Sequence, residues 1–155
     1  LRVRRVKPNK REHLEDILDF CIKNNNIYFT RNNKRIFIKN RADLYYLLKQ
    51  SDLSFYYVED GNVMGLIVLW KALGDNKKRY YIKINADNVE SATSLISVLL
   101  WNIKREEVFI KLEKRSFLVP LLTARGFNFF HDRGREIIFR RKNDVTEPIN
   151  TYDKD

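Results

Sequence analysis

Asp60 and Gly61 stand between two runs of strand-forming residues, Phe55 to Glu59 and Val63 to Leu73. A two-residue Asp-Gly loop takes up backbone angles whose twist matches that of paired strands, so the middle of the chain is committed to an antiparallel hairpin. Gly74, Asp75 and Asn76 turn the chain again, and the segment 79–85 alternates Tyr80 or Tyr81 with Ile82 and Ile84 as a further strand. Three antiparallel strands in succession need a cover for their apolar face. The next segment supplies one, because Val89, Ala92, Leu95, Ile96, Leu99, Leu100 and Ile103 recur at helical spacing.

The flanks extend this pattern. Leu1, Val3 and Val6 open a strand that Pro8 ends, and Leu14, Ile17, Leu18, Cys21 and Ile22 then mark the apolar stripe of a helix. Asn24, Asn25 and Asn26 stop that helix. Ile27 to Thr30 and Arg35 to Lys39 flank an Asn32-Asn33 turn and predict a second, shorter hairpin. Asn40, with Asp43 three residues on, starts a short helix that carries Leu44, Leu47 and Leu48 to Gln50. Beyond the long helix, Val108 to Leu112 is a strand and Phe117 to Ala124 a short helix closed by Gly126. Glu136 to Arg140 is a final strand reached through Gly134. This order belongs to the α+β class, with helices on both faces of a mixed, mainly antiparallel central sheet. Residues 1–142 are expected to form a single domain and 143–155 a polar acidic tail.

Composition removes several classes of function. A hydrophobic share of 44% in 155 residues is enough for one continuous core and too much for a disordered chain. The longest apolar run, Val63 to Trp70, is far short of the ~20 residues a spanning helix needs, and no apolar leader opens the chain. Cys21 is the single cysteine, which excludes an intramolecular disulfide or a cysteine-based metal cluster and fits a reducing, cytoplasmic setting. Its place on an apolar stripe makes it a packed thiol. His13 and His131 are isolated, so no metal is assigned, and with five glycines the glycine-rich nucleotide loops have no counterpart.

Thirty Lys and Arg against twenty Asp and Glu give a net charge of +10, a field that draws anions: nucleic acid, a phosphorylated cofactor or an acidic surface. Much of the excess is concentrated. Arg2, Arg4, Arg5, Lys7, Lys10 and Arg11 precede the first acid, Glu12, and Arg133, Arg135, Arg140, Arg141 and Lys142 face only Asp132 and Glu136.

With this element order in place, the stretch Ala124, Arg125, Gly126, Phe127 closing an apolar helix resembles the GNAT superfamily of acetyl-CoA-dependent N-acyltransferases. The resemblance runs from Phe55 to Lys142, and over about nine tenths of the chain once the first strand and helices are included. It implies a GNAT-like fold in which the backbone of Ile82, Lys83 and Ile84 pairs with the pantetheine arm of acetyl-CoA. It also implies that the pyrophosphate sits at the start of the long helix. The family motif there, Gln/Arg-x-x-Gly-x-Gly/Ala, meets Asp87, Asn88, Val89, Glu90, Ser91 and Ala92, of which only Ala92 fits. Asp87 and Glu90 bring negative charge to a phosphate site. Asp87 as N-cap with Glu90 three residues on reads equally as a capping box. With Asn88 as the cap instead, Ser91 and Thr93 offer hydroxyls to a phosphate. The family's Asn and Tyr of the last helix fall on Arg115, a candidate phosphate ligand, and on Leu122, which has no proton to give. Glu59, Tyr80 and Tyr81 are the candidates for a general base near the centre of the sheet.

Two readings of different class remain. One is a divergent GNAT-like N-acyltransferase that moves an acetyl group from acetyl-CoA to an amine. The other is a non-catalytic module on the same fold that meets nucleic acid or an acidic protein through Arg2, Arg4, Arg5, Lys77, Lys78, Arg79, Arg140, Arg141 and Lys142.

Overall fold

The protein is described by a computed structural model, which covers residues 2–71, 79–103 and 107–142. The turn marked by Gly74 to Asn76, Lys77 and Lys78, and the tail 143–155 lie outside the described residues. The chain runs β1 (Val3–Arg5), α1 (Arg11–Asn24), β2 (Tyr28–Arg31), β3 (Lys34–Phe37), α2 (Arg41–Gln50), β4 (Leu53–Glu59), β5 (Asn62–Lys71) and β6 (Arg79–Ala86). It continues with α3 (Val89–Asn102), β7 (Glu107–Glu113), α4 (Leu118–Ala124), β8 (Asn128–Asp132) and β9 (Glu136–Lys142).

Both hairpin turns have the backbone their residues favour. Asn32 and Asn33 have φ of 51° and 63°, and Asp60 and Gly61 have φ of 51° and 76°, the doubly positive pair that a tight two-residue loop requires. Asn25 closes α1 in the left-handed region at φ 60°. Asn40 caps α2 by accepting the Asp43 N–H at 2.9 Å.

The main sheet has seven strands in the order β1-β4-β5-β6-β7-β9-β8, and β2-β3 form a two-stranded sheet of their own. Among the described pairs only β6 and β7 are parallel. Strand alternation sorts the two faces. Phe55 and Tyr57 of β4, Ile67 and Leu69 of β5, Ile82 and Ile84 of β6, and Val108 and Ile110 of β7 pack with α3 and α4. Tyr56, Leu66 and Val68 point the other way, into a second core closed by α1, α2 and the β2–β3 hairpin. Helices therefore cover both faces.

Two details differ from the sequence reading. On α1, Ile22 is 47% exposed, and Phe20, at 3%, takes its place in the second core. Residues 128–132 form the edge strand β8, where no strand was expected. Asn128 to Asp132 is exposed at every position, so the alternation that marks a half-buried strand is missing.

Candidate functional site

The sheet opens between β6 and β7. Their pairing runs from Arg79 with Glu107 to Ile82 with Ile110 and stops there. Beyond this point β6 continues to Ala86 against β5, and β7 continues to Glu113 against β9. The β7-facing edge from Lys83 to Ala86 thus has no strand partner among the described residues, a row of backbone donors and acceptors available to an extended ligand. Ile82 and Ile84 are buried against α3, while Lys83 projects from the opposite face.

At the far end of β6 the chain enters α3. The cap is Asn88 and not Asp87: the Asn88 side chain accepts the Ser91 N–H at 2.8 Å, and the Asp87 N–H goes to the Met64 carbonyl at 2.8 Å. The capping box is therefore not formed. Glu90 instead turns toward β1 and β4, where its Oε1 accepts from Arg2 at 2.7 Å and from the Tyr57 hydroxyl at 3.2 Å. Arg2 also lies 3.5 Å from Glu59, and its hydrogen bond to the Tyr57 hydroxyl, followed by the charges of Glu59 and Glu90, raises the pKa of its guanidinium. The carboxylate that seemed to oppose an anion thus has a cation beside it. Ser91 is fully buried and donates its hydroxyl to the Asn88 carbonyl at 3.0 Å. Ala92 is fully buried too, and Thr93 donates to the Val89 carbonyl at 2.7 Å. What the first turn of α3 leaves for an anion is the backbone N–H of Val89 and Glu90, together with the positive end of the helix dipole.

Arg115 is exposed in the turn between β7 and α4. Leu122 lies wholly within the first core and, as leucine, has no proton to give. Among the base candidates, Glu59 is taken up with Arg2 and Tyr80 packs on the α3 side. Tyr81 is 40% exposed, its ring stacked 5.5 Å from Phe109.

Tyr81 also lines a cavity of about 360 Å³ at the mouth of the fork, the lower end of the range for small-molecule sites. Its walls come from β2, the end of α2, β5, β6, β7 and β9, with Tyr28, Trp70, Lys83, Phe109 and Lys111 prominent. Lys83 is its main polar feature. The ammonium donates to the Tyr28 carbonyl at 2.6 Å and sits 3.5 Å above the Tyr28 ring. Burial, helped by Lys111 and Arg35, pushes its pKa down to about 8. The sequence reading named Lys83 for its backbone and missed this side chain and its cavity. The signal available was a lysine on a strand between two buried isoleucines, which also describes any solvated strand position.

The basic clusters are not brought together. Arg4 and Arg5 lie on β1 at one edge of the sheet, whereas Arg140, Arg141 and Lys142 lie on β9 near the other. Arg79 and Arg140 share Glu107, at 3.0 and 3.6 Å. Among the described residues, no helix is long and apolar enough to cross a membrane, and no group of three or more His, Cys, Asp or Glu is arranged to hold a metal ion.

This topology, a mixed sheet forked between its parallel central strands with helices on both faces, is the fold of the GNAT acetyltransferases. It is similar to an acetyltransferase of the GNAT family from Streptococcus pneumoniae, with TM-score 0.70 and 12% identity over 92% of this chain and 98% of that one. It is also similar to a ribosomal-protein-alanine N-acetyltransferase from Brucella melitensis, with TM-score 0.65 and 11% identity over 92% and 99% of the two chains. A third similar structure is the PaiA N-acetyltransferase from Thermoplasma acidophilum in complex with coenzyme A, with TM-score 0.63 and 14% identity over 90% and 97%. No protein-family model and no curated protein matches the sequence.

Proposed function

We propose that the protein is an N-acyltransferase that takes an acetyl group from acetyl-CoA and passes it to a small amine held in the cavity at the mouth of the fork. The observation that carries this reading is the fork itself. Pairing ends at Ile82 and Ile110, the strand edge from Lys83 onward is open, and the opening leads into a lined cavity. The residues fit the two ends of the group unequally. The free edge that begins at Lys83 and Ile84 suits the amide-bearing pantetheine arm, which can add to it as a strand would, while Ile82, expected to share in that pairing, is taken up by Ile110. At the start of α3, the N–H groups of Val89 and Glu90 are available for the pyrophosphate, and Asn88 and Thr93 flank them. Ser91 and Ala92 give that turn its packing, and Arg115 is the exposed cation assigned to an outer phosphate.

When bound, acetyl-CoA would supply the activated acetyl thioester, whose C–S bond breaks as the amide C–N bond forms, the amine's proton leaving with CoA as its thiol. The chain's part is to hold the amine against the thioester and to exclude water, which converts a bimolecular encounter into a positioned one. The basic field of the protein favours an anionic cofactor and disfavours polycationic acceptors. The alternative, a module that binds nucleic acid through a basic surface, draws less support from a sheet that separates its basic clusters.

A thermal-shift titration with acetyl-CoA, with ADP as the control for plain phosphate attraction, tests the reading. A ligand at ~100 times its Kd adds about 2.7 kcal/mol, or several degrees for a domain of this size. A saturable shift with acetyl-CoA well above that with ADP is expected. No shift at millimolar acetyl-CoA overturns the proposal.

A further inference from the structure

We propose that the cavity is a site for a small aryl-alkyl carboxylate, its ring held among Trp70, Tyr81 and Phe109 and its carboxylate at Lys83 and Lys111. Resting on the acyltransferase reading, the acceptor is then an amine that carries such a carboxylate, an aromatic amino acid being the simplest form.

Three observations converge on this chemistry. The apolar wall is rich in aromatics, with Tyr28, Phe29, Trp70, Tyr81 and Phe109 from four different strands, and Tyr81 stacks on Phe109, which Phe130 already meets edge-on at 5.3 Å, so an incoming ring joins at Tyr81 and Trp70. The charged groups on the lining are all cations, Lys83, Lys111 and Arg133, with no acidic side chain among the described lining residues. Lys83 is half-buried without a carboxylate partner. One of its three N–H groups is spent on the Tyr28 carbonyl at 2.6 Å, the Tyr28 and Trp70 rings lie 3.5 and 5.8 Å from the ammonium, and the charges of Lys111, Arg35 and Glu136 also act on it.

Keeping a cation out of water is costly, and the ring faces beside Lys83 offset only part of that cost, which an anion would offset further. The acid whose charge acts on Lys83 is Glu136, and it is already engaged, 2.8 Å from Arg35 and 3.9 Å from Lys111. A carboxylate entering the cavity therefore meets an ammonium with donors to spare, under low local dielectric, where a charge-assisted hydrogen bond is strongest.

The β2–β3 hairpin builds the site as a separate piece. It brings Tyr28 and Phe29 over the sheet, and its footing is Lys83 on β6, Glu136 on β9 through Arg35, and Tyr46 on α2, 4.6 Å from Phe29. Lys83 is also the first residue past the last β6–β7 pair. The anion site and the open strand edge thus share one residue, which places a bound acceptor at the end of the fork.

The test needs no cofactor. Trp70 and Trp101 are the two tryptophans, and Trp101→Phe leaves Trp70 as the sole reporter on the cavity wall. In that background 3-phenylpropionate is expected to change Trp70 emission saturably, and 3-phenyl-1-propanol, which lacks the charge, to bind about tenfold or more weakly. Lys83→Met should abolish the preference and Lys83→Arg should keep it, with circular dichroism confirming the fold of each. Should Lys83→Met fail to fold, Lys111→Met, expected to weaken the preference, takes its place. Equal binding of acid and alcohol, or no saturable response, overturns the proposal. The acetyl-CoA titration is read separately. Carboxylate binding without any acetyl-CoA shift sustains the site and overturns its role as an acceptor site, and an acetyl-CoA shift without carboxylate binding overturns the site and sustains the acyltransferase reading alone.

Discussion

Lys83 shows how one side chain carries a cost that the rest of the fold sustains. Its ordinary pKa of 10.5 applies in the unfolded chain, and in the folded protein burial lowers it to about 8. Between those values the unfolded chain binds more protons, so the Lys83 contribution to stability rises with pH from about 8 to 10.5. Below pH 8 its penalty is constant. Urea denaturation of the protein and of Lys83→Met at pH 7 and pH 10 is expected to show the variant more stable at pH 7, by a margin that shrinks at pH 10. The other groups facing Lys83, namely Lys111, Arg35, Glu136 and the Tyr28 ring, are common to both proteins. An unchanged margin would mean that the ammonium is not held out of water. Cys21 gives the complementary case. It is 1% exposed and burial pushes its thiol up to about 12, so iodoacetamide at pH 8 should leave it unmodified in the native protein and label it in urea, as read by mass spectrometry.

At the scale of elements, α3 and the β4–β5 hairpin depend on each other through a close approach. The register slips between Tyr57 and Val58, leaving Met64 as an extra residue on β5, and Gly65 follows it. A Cβ on Gly65 would stand 2.8 Å from Leu95 Cδ1 and 3.4 Å from the Asn85 carbonyl oxygen. Leu95 is fully buried and has little room to yield. Gly65→Ala should therefore cost about 1–3 kcal/mol by denaturant unfolding. Leu95→Ala alone should cost about 2–5 kcal/mol, and the double variant less than the sum of the two. At the start of the same helix, Asn88→Ala removes the acceptor for the Ser91 N–H and should cost about 1 kcal/mol, a fall in Tm of roughly 2–4 °C. Most of these elements are legible from sequence because they rest on local chemistry: Asn-Asn and Asp-Gly favour doubly positive φ, and Leu95, Ile96 and Leu99 keep helical spacing. β8 is not, since Phe129 and Phe130 are adjacent and exposed on an edge strand whose register slips between Phe129 and His131. The cap shifted by one residue for a reason outside the helix. Glu90 finds Arg2 and Tyr57 across the sheet, and without Glu90 folded back onto Asp87 the cap passes to Asn88. The cavity was least legible of all. Tyr28 and Lys83 are 55 residues apart, and only the folded hairpin lays one over the other.

The charge of +10 belongs to the whole molecule, and its arrangement decides what it can do. A polyanion that gains affinity from many phosphates needs its cations along one path, and each contact steepens the loss of affinity with salt. Here β1 carries Arg4 and Arg5 at one edge of the sheet, and β9 carries Arg140 to Lys142 beside the other. Arg2 faces Glu90 and Glu59, and Arg79 and Arg140 face Glu107, so part of the excess is neutralised locally. A compact ligand in the fork, by contrast, meets a few donors fixed by the backbone and by the first turn of α3. Titrating acetyl-CoA and a single-stranded oligonucleotide in parallel at 50 and 200 mM NaCl should therefore separate the two readings. For acetyl-CoA the expected loss over that range is modest, within about tenfold, because few charges are neutralised in the complex. A protein built to track a nucleic acid with 6–10 phosphate contacts would lose about 10³ to 10⁵ in affinity over the same range. A steep slope of that kind with the oligonucleotide, beside no response to acetyl-CoA, would move the function from the fork to the surface. The expected result is the opposite one, weak oligonucleotide binding at 50 mM and saturable acetyl-CoA binding at both salts.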